Sequence, residues 1–127
     1  MYENAIIAYG ASPLIKQASI PYIYFKPALQ RPWNTGMKFT VLLDTTGSNK
    51  AVKIFIRKCG INMPAVKTIH QDCDSFSCDV FWNGRGSNGI FVAEGCYKAE
   101  IYGSDDRANN LESLSPYPFS LQFYVFY

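Results

Sequence analysis

Residues 79–102 read DVFWNGRGSNGIFVAEGCYKAEIY, and how this stretch is read decides the fold. An alternating run ends at Trp82, and two Asn-Gly pairs, Asn83-Gly84 and Asn88-Gly89, interrupt it before a short apolar run, Ile90-Phe91-Val92. Glu94-Gly95 then turns into a second alternating run through Tyr97, Ala99 and Ile101. Asn-Gly pairs favour tight turns because both residues tolerate positive φ, which suits the twist of flanking strands. The stretch is expected to be a β-hairpin unit with an aromatic residue at each shoulder, and the chain an all-β module rather than a catalytic domain.

The same alternation extends outward. Met37, Phe39, Val41 and Leu43 alternate with Lys38, Thr40 and Leu42, as in a half-buried strand. Val52, Ile54 and Ile56 form an inward face, Ala65 to His70 make a short strand, and Gln71 to Ser75 a polar loop. Phe76, Cys78, Val80 and Trp82 are expected to share one face. The last strand puts Phe119, Leu121, Phe123 and Val125 on one side and Tyr124 and Phe126 on the other. Pro21 to Lys26 reads as the first strand, whereas Gly10, Ser12 and Pro13 break the region before it. Short strands with turn signals at intervals of roughly ten residues point to a β-sandwich. The expected division is an arm over residues 1–20 and a sandwich over 21–127, so that removing residues 1–18 leaves the fold intact.

Trp82-Asn83-Gly84-Arg85, Asn88-Gly89, Val92-Ala93 and Gly95-Cys96-Tyr97 resemble the signature of a known family. It is that of the immunoglobulin-like module of the flagellar hook-capping protein family. Val52 to Gly60 is similar to the preceding strand and turn of that module, with Lys58-Cys59 where the family has an acidic residue. The resemblance covers residues 37–103. It implies an immunoglobulin-like β-sandwich of about seven to nine strands, and little about function, because such sandwiches serve many tasks. Many immunoglobulin-like domains join central strands by a disulfide, but Met37 to Leu43 carries no cysteine.

With 127 residues, 48% of them apolar, the chain is most simply one domain with a two-layer core. Twelve basic side chains against ten acidic ones leave +2 without a Lys/Arg run, which argues against a nucleic-acid partner. No apolar run is long enough to span a bilayer, so no membrane partner is expected. The first ten residues, MYENAIIAYG, lack the basic start and apolar stretch of a secretory signal, so the product is expected to stay in a cytosol or join something assembled there. In that compartment Cys59, Cys73, Cys78 and Cys96 are expected as buried free thiols, whereas an oxidising one would permit a Cys73–Cys78 bridge.

Candidate chemistry is sparse. Cys59, His70, Cys73 and Cys78 could form a zinc set, but the spacing lacks a paired Cys-x2-Cys knuckle, and a loop histidine near half-buried thiols is the alternative. A Cys73–His70 nucleophile pair would need an orienting group and an oxyanion site that nothing marks. Asp72, Asp74 and Asp79 lack the Gly and distal Glu of an EF-hand, and Gly84, Gly86 and Gly89 precede no Gly-Lys-Ser/Thr. No catalytic residue, cofactor or metal is therefore assigned.

The aromatic content, 16%, calls for an explanation. The last strand is large on both faces, and Tyr2, Tyr9, Tyr22, Tyr24 and Phe25 repeat the theme near the start. Either the arm and the last strand cover one another, or other chains cover them. The adopted reading has Trp82, Tyr97, Ile54, Ile56 and Val80 as core, and Tyr2, Ile6, Ile7, Tyr9, Tyr124, Phe126 and Tyr127 as partner contacts. The expected function is that of a non-enzymatic virion component, a capsid auxiliary or decoration protein of a tailed bacteriophage, bound to other protein subunits and assembled in the host cytoplasm. The alternatives are a bacterial surface or appendage module, or a carbohydrate-binding sandwich stacking sugars on Trp33, Trp82 or tyrosine residues.

Overall fold

The computed structural model describes residues 6–7, 15–27, 36–43, 50–104 and 118–126. They form an all-β structure with no helix among the described residues. Nine strands run in chain order: β1 (Ile6–Ile7), β2 (Ile15–Ile20), β3 (Tyr24–Phe25), β4 (Met37–Leu43), β5 (Lys50–Lys58), β6 (Ala65–Cys73), β7 (Ser77–Trp82), β8 (Gly95–Ser104) and β9 (Phe119–Val125). One sheet has the order β1-β2-β4-β7 and the other β3-β9-β8-β5-β6. All described pairings are antiparallel except that of β3 with β9.

The period-two alternation puts Met37, Phe39, Val41, Val80 and Trp82 of one sheet against Ile54, Ile56, Tyr97, Ile101 and Phe123 of the other, all essentially inaccessible. Rings interlock across the layers, Phe39 on Phe123 at 6.1 Å and Trp82 on Tyr97 at 6.3 Å between centroids. Burying each such side chain contributes on the order of 1.5–3 kcal/mol before entropy is charged. All five residues expected as core, Trp82, Tyr97, Ile54, Ile56 and Val80, lie in it.

Residues 79–102 are not a hairpin. β7 belongs to the four-stranded sheet and β8 to the five-stranded one, so the loop between them is a crossover from layer to layer. It folds on itself through Gly86 N to Ile90 O, Gly89 N to Gly86 O and Val92 N to Gly84 O, each at 2.9 Å. Only the glycines take positive φ, 85° at Gly84 and 80° at Gly89. Asn83 and Asn88 instead accept the amides of Arg85 and Ile90 on their side-chain oxygens, the Asx arrangement that lets asparagine start a turn.

Other expectations shift as well. Residues 15–20, read as part of an arm, form β2, paired with both β1 and β4, with Ile15, Ala18 and Ile20 buried. The run expected over Pro21 to Lys26 shrinks to the two residues of β3, because the chain there crosses from one sheet to the other. β6 continues to Cys73 through the expected polar loop, and Phe76, expected inside, is 57% exposed.

The expectation of free thiols is corrected: Cys59 is bonded to Cys96, and Cys73 to Cys78. The first bridge ties the end of β5 to the start of β8 within one sheet. The second joins the edge strands β6 and β7 and so links the two layers. Neither uses β4, which has no cysteine.

Candidate interaction surface

Trp82 ends β7, and its indole Nε1 donates to the Arg85 carbonyl at 2.8 Å. That bond orients the loop of residues 83–94. Arg85 then folds back over it, its guanidinium 4.1 Å from the centre of the Phe91 ring and its Nη1 donating to Gly89 O at 2.8 Å. Ser87 fastens the loop to the start of β6, its backbone amide reaching Val66 O at 2.9 Å. On the β8 side the Tyr97 hydroxyl donates to Ala93 O at 2.7 Å. Between this loop and the β5–β6 hairpin lies an open groove of about 440 Å³, lined among others by Lys58, Val66, Ser87, Ile90, Phe91 and Tyr97.

The β5–β6 hairpin lies at the same end. The Cys59–Cys96 bridge fixes its base, Cys59 N donates to Cys96 O at 3.0 Å, and Arg57 donates from Nη1 to Met63 O at 2.9 Å and from Nε to Glu100 at 2.9 Å. At the tip Ile61 is 88% exposed, beside a separate depression lined by Arg57, Met63, Lys98 and Glu100, and Ile90, which lines the groove, is 64% exposed. Two braced loops therefore each hold an aliphatic side chain in water, and one of these, Ile90, borders a groove of mixed polar and apolar lining. Sequence alternation could not flag these residues, because both sit in turns outside any strand period.

A second apolar region lies on the outer face of the five-stranded sheet. Tyr24 stacks on Tyr124 at 5.9 Å and meets Phe126 edge-on at 5.8 Å, while Lys26 Nζ sits 4.6 Å above the Phe126 ring. Tyr124 and Phe126 are thus partly covered by the chain's own β3. Ile6 and Ile7 pair with Ile20 and Ser19, and the Ile7 side chain is half exposed. Tyr2, Tyr9, Trp33 and Tyr127 lie outside the described residues. Trp82 is buried, so it cannot be the sugar-stacking platform considered for it.

The cysteine and acidic candidates are not brought together as metal sites. All four sulfurs are in bridges, which removes the thiolates a zinc set or a nucleophile pair would use. His70 faces Asp72 at 3.3 Å, Asp79 accepts from Thr40 at 3.1 Å, and no group of three potential ligands occurs among the described residues. No described helix is long and apolar enough to cross a membrane. No family model matches the chain, and no curated protein or solved structure matches it.

Proposed function

We propose that this chain is a non-enzymatic structural module, an immunoglobulin-like sandwich that docks onto a larger assembly of protein subunits. The observation that carries the docking is the exposure of Ile61 and Ile90 on two braced loops, Ile90 at a groove that Val66, Phe91 and Tyr97 also line and Ile61 at the tip of the β5–β6 hairpin. Aliphatic side chains fixed beside a groove form the kind of patch that a partner buries. The aromatic surface of Tyr124 and Phe126, and the terminal residues Ile6, Ile7, Tyr2, Tyr9 and Tyr127 expected as partner contacts, make up the second contact region of this reading.

The immunoglobulin-like assignment is supported by β2-β4-β7 facing β9-β8-β5-β6, with sheet-to-sheet crossovers between β6 and β7 and between β7 and β8. Tyr97 also matches a tyrosine corner: it lies near the start of a strand, and its hydroxyl bonds back to a carbonyl four residues upstream. A capsid auxiliary or decoration protein of a tailed bacteriophage is the first setting. The second, a bacterial surface or appendage module of the hook-capping type, is favoured by the two disulfides, which persist in oxidising compartments.

Fractionation of the native source tests the docking. The protein should co-sediment with large particles or surface structures, and Ile61→Asp with Ile90→Asp should release it without changing its melting temperature. Recovery of the parent chain solely as a free species would refute the reading. Cysteine alkylation of the particle-bound protein, with and without reduction, separates the two settings.

A further inference from the structure

We infer that the open half of β9 is a self-pairing edge, which joins β9 of a second copy in antiparallel register about Leu121. Tyr124 N donates to Ile23 O at 2.7 Å and Phe126 N to Phe25 O at 3.1 Å, so the backbone of these even-numbered residues turns away from β8. Strand parity puts the N–H and C=O groups of Ser120 and Gln122 on the same side. β3 pairs there only with Tyr124 and Val125, and among the described residues no strand is paired with Phe119–Phe123 on the side away from β8.

This edge differs from β6, the far edge of the same sheet, and from β7, an edge of the other sheet. β6 carries Lys67 and Asp72, and β7 carries Asp79, the charges that discourage edge-to-edge pairing. From Pro118 to Phe126 there is no charged residue, so two copies meet without like-charge repulsion. The open window is also bounded to fit itself. Pro118 offers no N–H at one end, and β3 closes the other. With Leu121 opposite Leu121 of the second copy, Ser120 faces Gln122 twice, and each pair exchanges both of its backbone bonds. Phe119 then opposes Phe123, and the two five-stranded sheets become continuous. The pairing needs only a second copy and does not depend on the docking reading above. A short strand pair is a small interface, so the association is weak in dilute solution and is strengthened where copies are displayed side by side.

The test is sedimentation equilibrium of the full chain over a concentration series reaching the millimolar range, with circular dichroism to verify folding. The parent chain should self-associate. Ser120→Lys with Gln122→Lys places like charges opposite one another twice and should weaken association roughly tenfold or more. Ser120→Lys with Gln122→Glu places opposite charges there and should restore it, in a salt-sensitive way. Association that ignores both variants overturns the proposal. So does a monomeric parent chain, in which hydrogen exchange assigns the edge: protected Ser120 and Gln122 amides mean another segment of the same chain covers it, and unprotected ones leave it to a strand from a different protein.

Discussion

The Trp82 indole donates to the Arg85 carbonyl three residues further on, so the largest buried side chain of β7 also sets the first turn of the crossover loop. Its ring meets Phe25 at 5.8 Å, Phe123 at 5.9 Å and Tyr97 at 6.3 Å. Trp82→Ala should destabilise by about 3–5 kcal/mol, as for other large buried aromatics. Trp82→Phe keeps much of the packing but leaves the Arg85 carbonyl without its donor, and should cost less. Denaturant titration of both variants checks the order, and a Trp82→Ala protein as stable as the parent would contradict the burial.

Tyr97→Phe removes only the hydroxyl that reaches Ala93. The expected cost is about 1 kcal/mol, the ordinary net worth of a hydrogen bond. Amide exchange at residues 91–95 should rise in this variant more than exchange in β5.

The two bridges should differ in weight. Cys59 and Cys96 are 37 residues apart in sequence, Cys73 and Cys78 only 5. Loop-closure entropy then gives about 4 kcal/mol for the first and about 2 kcal/mol for the second. Paired Cys→Ser variants measured by urea unfolding should reproduce that order. If both pairs are already free in the native protein, the variants will unfold with the parent.

Deleting residues 1–18 should abolish the cooperative unfolding transition, because Ile15 and Ala18 of β2 are buried between the sheets and most of β2 goes with them. This reverses the expectation drawn from the breaks at Gly10, Ser12 and Pro13. A truncated chain that still melts cooperatively would show that β2 is dispensable.

Gly84 and Gly89 both take positive φ but differ in surroundings. A Cβ at Gly84 would run into the Pro27 ring, whereas one at Gly89 points into open space. Gly89→Ala should cost about 1–2 kcal/mol from the backbone alone, and Gly84→Ala clearly more. Thermal melts of the two variants separate strain from collision.

Much of the fold was legible because alternation with period two survives in β4, β5, β7 and β9, where one face is buried and the other is not. The layer assignment was less legible: nothing local in residues 79–102 tells a hairpin from a crossover, since the same turn residues serve both. β2 was obscured by breakers just before it and by Lys16 and Gln17 at its start, where its pairing with β4 is irregular. The bridges depended on knowing which strands become neighbours, and Cys59 meets Cys96 only because β5 lies beside β8. Ile90 stood out only as part of an apolar run and Ile61 not at all, and the exposure of both was illegible because exposure at a turn is decided by tertiary placement.

The parallel run of β3 beside β9 has a mechanical consequence. Tension entering β3 from its N-terminal side and leaving β9 from its C-terminal side pulls the two strands in opposite directions along their length. The bonds from Tyr124 N to Ile23 O and from Phe126 N to Phe25 O are then sheared together instead of being unzipped one after the other. A module strung between two attachment points through these strands would yield abruptly at a threshold force, like a latch.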